Sequence, residues 1–183
     1  MRGRTLALVL AAGLVATGCS GGTTASGGTS TTQAPKPAGA TPSPIAVQVC
    51  SQEAQHDMAA ALGETARVST PTWVDTRYSC TYDYPHADPA GSFELSVKEL
   101  SSWGQTYAYY DSLAARLGKT QDLQSLGQAA FQTTDGSVVV RKDWKVLVVD
   151  DTGLPTQFGV PPTDKAAIAV TAADVILGCW AGD

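Results

Sequence analysis

Apolar residues recur every three to four positions in three stretches of the chain, which predicts three amphipathic helices. The first is expected over residues 51–62. The second begins at a capping box formed by Ser102 and Gln105 and ends at Gly118. The third should begin at Thr163, and because its apolar residues fall on two stripes, we expect it to be deeply packed.

Between these helices the apolar pattern changes to a period of two or to continuous runs, which is typical of β-strands. Strands are expected at residues 72–75, 78–83, 93–98, 130–133, 137–141 and 146–150. Asp135-Gly136 marks a hairpin, and residues 122–128 are expected to form a loop. The last two strands are apolar at nearly every position, so both of their faces should be covered. The prediction is an α+β fold, an antiparallel sheet of about five or six strands with about three helices packed against it.

The front of the chain is typical of an exported protein. Arg2 and Arg4 precede an uncharged apolar run at residues 6–16, the layout of a secretory signal. A bilayer-spanning helix needs roughly 20 apolar residues, so this run is too short to stay in the membrane as a span. Ala16-Thr-Gly-Cys19 resembles the lipobox of bacterial lipoproteins, although Ala16 stands where leucine is more usual.

The lipobox resemblance implies that the Cys19 thiol is acylated and that the chain is cut just before it. Residues 20–44 are almost entirely Gly, Ser, Thr, Pro and Ala, a composition that cannot bury enough apolar surface to fold. We therefore expect a signal peptide at 1–18, a lipidated cysteine and disordered tether at 19–44, and one α+β domain at 45–183. The implied location is the cell membrane, with the domain facing outside the cytoplasm.

Charge narrows the choice of partners. All 17 acidic residues but only nine of the 12 Lys and Arg fall within residues 45–183, which gives this region a net charge of −8. An acidic domain gains nothing from phosphate backbones, so nucleic acid is not expected as a partner. The expected membrane contact is the lipid on Cys19.

Three cysteines remain in the domain: Cys50, Cys80 and Cys179. Outside the cytoplasm a disulfide is expected, but an odd number leaves one cysteine over. The residues alone leave all three pairings open.

A wider resemblance rests on Cys19, Cys50, the Cys80-Thr-Tyr82 strand, and the SLGQAAF and DGSVVVRKDWKVLVVD segments. Together they resemble small cell-surface lipoproteins of actinobacteria, over most of residues 50–183. Tyr82 stands where tryptophan is common in that group, and Cys179 is extra. The resemblance implies a fold similar to PsbP-like and kinase-sensor domains and a Cys50–Cys80 disulfide. The alternative is a Cys50–Cys179 disulfide, which antiparallel packing of the first and last helices would allow. Most members lack an assigned activity, so no catalytic residues carry over.

A search for chemistry in the residues finds no nucleophile beside a base, no phosphate-binding glycine loop and no cluster of metal ligands. We therefore expect no enzymatic activity, no cofactor and no metal site.

All six tyrosines fall between Tyr78 and Tyr110. Most are expected in the core, with Tyr84 and Tyr109 the most exposed. Our hypothesis is a groove between the second helix and the Tyr78–Tyr82 strand that binds an apolar or aromatic ligand, with Trp103 on the same surface. The function expected is binding or sensing of a small molecule, lipid or envelope component. The alternative is an accessory subunit that docks on a membrane protein or cell-wall enzyme through an apolar patch of the paired strands.

Overall fold

The strand patterns pair into one antiparallel sheet in the computed structural model, which describes residues 35–180. Its strands are β1 Arg67–Val68, β2 Thr72–Val74, β3 Arg77–Tyr84, β4 Gly91–Glu99, β5 Lys119–Leu123, β6 Ala129–Thr133, β7 Val138–Lys142 and β8 Lys145–Asp150. Their order across the sheet is β1-β3-β4-β8-β7-β6-β5, and β2 also pairs with β3. Two short strands, β9 Gln157–Phe158 and β10 Thr163–Asp164, form a separate pair.

The α+β class and the antiparallel pairing are confirmed, but the sheet has eight strands within the described residues rather than five or six. Part of the region predicted as a loop belongs to β5, which pairs with β6 at the sheet edge. Four of the five β5 residues are exposed, and three of the five are Lys, Gln and Asp. An edge strand of this composition has no apolar alternation, so its sequence looks like a loop.

Residues 35–180 contain four helices: α1 Pro44–Gln48, α2 Gln52–Leu62, α3 Trp103–Leu117 and α4 Lys165–Cys179. The predicted starts of α2 and α3 are confirmed by serine caps, since the Ser51 and Ser102 hydroxyls accept hydrogen bonds from Ala54 N and Gln105 N. α4 begins two residues later than predicted because Asp164 caps it. The short α1 was not predicted, so the described part of the chain has four helices rather than three.

Helices cover both faces of the central strands, as the continuous apolar runs predicted. α1, α2 and α4 enclose the larger core on one face, which we call the stapled face. α3 covers the other face, where Tyr110, Leu113, Phe131, Val139 and Val146 form a smaller core. Along β8, Val146 therefore packs beneath α3 whereas the next residue, Leu147, packs in the larger core.

Residues 35–43, which fall in the predicted tether, lie against the domain. Ala38 N donates to Leu100 O at 3.2 Å, and the Trp73 indole donates to Ala40 O at 2.9 Å. Ser43 N donates to the buried Glu99 carboxylate at 2.9 Å. The chain thus reaches the domain at the end of the sheet where β4 stops and β8 begins, which we call the tether end.

Candidate functional site

Cys19, the predicted lipidation site, lies outside the described residues. Within residues 35–180, no helix has both the length and the apolar character needed to cross a membrane.

The disulfide joins Cys50 to Cys80, as the resemblance implied. Cys50 immediately precedes the α2 cap, and Cys80 lies in the middle of β3 on the stapled face. Tyr82 strengthens the same junction, because its buried hydroxyl donates to Val49 O at 2.7 Å. Burial raises the pKa of Tyr82 well above its usual range, so the hydroxyl stays protonated and able to donate.

Cys179 lies on α4, and its thiol is 3.6 Å from the Asp57 carboxylate on α2. α2 and α4 do pack together as the alternative pairing required. Cys50 nevertheless pairs with Cys80, because residue 50 sits over β3 while Cys179 lies beside the middle of α2.

Tyr84 is buried and only 1% exposed, so its predicted exposure is wrong. The cause is a contact from distant sequence: the Phe158 ring packs edge-on against Tyr84, with ring centroids 4.9 Å apart. Tyr78 and Tyr82 share its face of the sheet, since they pair with Val97 and Phe93 of the larger core.

The predicted groove between α3 and the Tyr78–Tyr82 strand does not form. α3 packs over β6, β7 and β8, whereas the side chains of Tyr78 and Tyr82 point to the opposite face of the sheet. Tyr109 is half-buried beside Lys98, whose ammonium lies 6.0 Å from the ring centroid. The sheet therefore separates the tyrosines that the sequence brings close together.

Trp103 does lie on an exposed surface, with different neighbours from those predicted. It is 37% exposed, and Tyr107, one turn later on α3, is 45% exposed. The Trp103 ring centroid is 5.9 Å from that of Tyr107 and 6.5 Å from that of Trp144. The Arg141 guanidinium stacks on Tyr107, 4.2 Å from its centroid. We call these four residues the aromatic patch.

Arg141 also reaches the buried Tyr110, at 5.5 Å from the ring centroid. Burial raises the pKa of Tyr110 to about 12, and the Arg141 charge opposes that rise. The guanidinium is therefore held by aromatic rings on two sides, which fixes the charge at the surface of the patch.

A second feature at the tether end is an open cleft of about 430 Å³ between the β7–β8 turn, the loop before β6 and the end of α4. We call it the end cleft. Its described lining residues are Ser125, Gly127, Gln128, Lys142, Asp143, Asp174, Leu177 and Gly178. The lining combines an ammonium, two carboxylates, an amide and a hydroxyl, so it offers both donors and acceptors to a small polar molecule.

The backbone of the end cleft is held in unusual conformations. Asp143 and Ser125 adopt left-handed backbone angles, with φ of 54° and 66°. The Gln128 side-chain oxygen accepts from Asp143 N at 3.0 Å, which ties the turn to the loop. Non-glycine residues in this region are uncommon and concentrate at turns and functional sites.

Two charged groups of the end cleft, the Asp143 carboxylate and the Lys142 ammonium, are partly removed from water, which costs solvation free energy. The Asp143 Oδ2 atom is buried with no hydrogen-bond partner among the described residues. Burial also lowers the pKa of Lys142, although the neighbouring Asp143 carboxylate partly opposes this. The Lys142 ammonium donates to Trp180 O, which uses one of its three protons.

Comparison of the chain with family models, curated proteins and solved structures gives no match.

The end cleft was not predicted from the sequence. Its walls come from three segments, near residues 125–128, 142–143 and 174–178, and nothing in their spacing indicates that they meet. One local feature of the sequence does point to this region, because Asp143 lies in a two-residue turn between strongly apolar strands. Among residues 35–180, no group of three or more His, Cys, Asp and Glu side chains is arranged to hold a metal ion.

Proposed function

We propose that this chain is a lipoprotein anchored through Cys19 outside the cytoplasm, and that its domain binds a small polar ligand in the end cleft without catalysing a reaction. The lipobox-like sequence ending at Cys19 supports the anchor. The resemblance to small actinobacterial lipoproteins supports the same location.

The end cleft carries the binding proposal. A buried carboxylate oxygen without a partner is costly, and Asp143 Oδ2 lies in that state beside a cleft large enough for a small molecule. Because that oxygen is buried, the Asp143 side chain would have to move slightly for a donor group on a ligand to reach and satisfy it. This single observation favours a binding site over a purely structural turn.

The charges of the end cleft favour a ligand that carries an amino group. Asp143 and Asp174 provide two negative charges, against one positive charge from Lys142. A zwitterion, such as an amino acid or a short peptide, would place its ammonium near the carboxylates and its carboxylate near Lys142.

The absence of catalysis is proposed from the positions of the histidines. His86 contacts Arg67 at 3.2 Å, and His56, whose side chain is 86% exposed, contacts Asp57 at 3.5 Å. Neither is among the described residues that line the end cleft. The cleft therefore has the donors and acceptors for binding but no histidine, the commonest general base, among its described lining residues.

The accessory-subunit alternative depended on an exposed apolar surface of the paired strands. α3 covers one face of β7 and β8, and α2 and α4 enclose the other. The apolar residues that suggested docking are therefore core residues, and binding is the better-supported function.

Mass spectrometry tests both the anchor at Cys19 and the ligand of the end cleft. The sample is the full mature chain, exported from a bacterial host that acylates lipoproteins. Spectra taken under denaturing conditions report the acyl mass on Cys19. Spectra taken under native conditions should show an additional small mass that disappears on denaturation.

The matched variants are Asp143→Asn with Asp174→Asn, and as a control Asp75→Asn with Asp111→Asn. Asp75, like Asp143, has a left-handed φ, at 49°, in a two-residue turn, so asparagine is tolerated equally at both positions. The cleft variant should lose the bound mass and the control should keep it. A wild-type protein without bound mass, or a cleft variant that retains it, would contradict the binding site.

A further inference from the structure

We infer that the aromatic patch rests on the surface of an anionic phospholipid bilayer and holds the tether end of the domain toward the membrane. This inference rests on the anchor at Cys19 from the proposed function, but not on the ligand of the end cleft.

The first argument is where the chain reaches the domain. Ala38 is bonded to Leu100, and Leu100 N in turn donates to Trp144 O at 2.9 Å, so the incoming chain lies directly beside the aromatic patch. Only 16 positions separate Cys19 from Pro35. A coil of this length spans roughly 20–24 Å r.m.s., so an anchored chain holds the patch close to the headgroups.

The second argument is the chemistry of the patch. Trp103 and Tyr107 are two large apolar residues exposed on the described domain, and Trp144 packs against Trp103. Tryptophan and tyrosine concentrate at membrane–water interfaces because their rings are apolar and their tips are polar. The Arg141 guanidinium lies among these rings and supplies a positive charge for a phosphate group.

The third argument is the distribution of charge between the two ends of the sheet. The charges that reach the surface at the tether end are Lys36, Arg77, Lys98, Arg141 and Lys142 against Asp75, Asp143 and Asp174, whereas Lys145 and Glu99 are buried. Those at the opposite end are Asp83, Asp88, Asp135 and Asp150 against Arg67, Arg116 and Lys119, whereas Asp151 is buried. An anionic surface therefore attracts the tether end and repels the opposite end, although the domain as a whole is acidic.

These three features coincide at one end of the sheet. A polymer or protein partner would account for the exposed rings, but not for their position beside the incoming chain. The membrane accounts for both, so we take an anionic lipid surface as the occupant of the patch.

The test uses the full acylated chain reconstituted in vesicles of phosphatidylcholine and phosphatidylglycerol, with part of the lipid brominated in its acyl chains. Brominated lipid quenches tryptophan that lies within the interface. We expect the wild-type emission to be partly quenched, and Trp103→Phe to remove more than half of that quenching. Trp180→Phe is the control, because Trp180 is 3% exposed and packs in the larger core on the opposite face.

The charge argument is tested by two double variants that each remove two positive charges, one at each end of the sheet. Lys36→Gln with Arg77→Gln, at the tether end, should reduce the quenching at least twofold. Arg116→Gln with Lys119→Gln, two exposed residues where α3 ends and β5 begins, should leave it unchanged.

Flotation of the same vesicles separates the two ways of failing. If the protein floats with the vesicles but its tryptophans are not quenched, the anchor holds and the membrane-facing patch is wrong. If the protein does not float, the anchor of the proposed function is wrong and the inference falls with it. Equal loss of quenching in the two charge variants would also overturn it.

Discussion

The two faces of the sheet are built from the same strands but are held in different ways. On the stapled face, the link between α1 and α2 is joined to β3 by the Cys50–Cys80 disulfide and by the Tyr82–Val49 hydrogen bond. On the other face, α3 rests on a small core and presents Trp103 and Tyr107 to solvent.

The stapled face therefore contributes mainly to stability, whereas the α3 face has the aromatic residues that are exposed for interaction. Tyr82 and Tyr84 on the stapled face are buried in the core, so they are unavailable to a ligand. The aromatic residues at the start of α3 are exposed because α3 buries only the middle of its length: Thr106, Tyr110 and Leu113 are its buried residues. The contrast between the two faces can be tested by variants that change the stability of the stapled face. These variants remove its disulfide, a buried hydroxyl or a buried charge.

The largest expected effect comes from removing the disulfide. Replacing both Cys50 and Cys80 by alanine should lower the free energy of unfolding by about 3–4 kcal/mol, because the unfolded chain regains the freedom of a loop of this length. Urea denaturation of the oxidised proteins measures the difference. Cys179→Ala is the matched control and should cost much less, since that cysteine lies outside the disulfide. An equal loss of unfolding free energy in the two variants would contradict the stabilising role of the Cys50–Cys80 disulfide.

A smaller effect distinguishes two neighbouring tyrosines. Tyr82→Phe removes the donor to Val49 O and should cost about 1–2 kcal/mol of unfolding free energy, because a buried carbonyl loses its hydrogen bond. Tyr84→Phe should be neutral or stabilising, because the Tyr84 hydroxyl is buried without a partner among the described residues. Thermal or urea unfolding of the pair measures the contrast, and equal costs would show that the Tyr82 bond contributes nothing.

The smallest effect concerns a buried carboxyl group on the stapled face. Asp151 is fully buried; the Ser137 hydroxyl donates to its Oδ1 at 2.9 Å, while its Oδ2 is unpartnered among the described residues. Burial raises the pKa of Asp151, and the Asp135 charge adds to the rise while Ser137 and Lys165 oppose it.

Because the pKa of Asp151 is higher in the folded chain than in the unfolded one, its contribution to stability is present at low pH and is lost as pH rises through the folded value. Asp151→Asn imitates the protonated carboxyl and should therefore be more stable than the wild type near neutral pH, with the gain shrinking under acid. Urea titrations at several pH values between 3 and 8 measure the gain. A gain that grows as the pH falls would have the wrong sign.

The sequence allowed prediction of those parts of the fold that depend on local pattern. α2 and α3 have apolar spacing and serine caps, and β3, β4, β7 and β8 have periodic or continuous apolar residues. β5 was missed because an edge strand needs no apolar face, and β1 is only two residues long.

Exposure of the candidate residues depended on contacts between distant segments. Nothing within β3 indicates that Phe158 covers Tyr84, or that the sheet separates Tyr78 from α3. The end cleft could not be predicted from the sequence for the same reason, since Asp143 and Asp174 come together only in the folded chain.

The binding site in the end cleft is tested most directly by amide chemical-shift mapping of the isotope-labelled mature chain, titrated with a mixture of free amino acids as the zwitterionic probe. The account predicts saturable shifts at Ser125–Gln128, Lys142–Asp143 and the last turn of α4, which Asp143→Asn with Asp174→Asn abolishes. Shifts confined to the α3 face, or no saturable shifts at all, would contradict it.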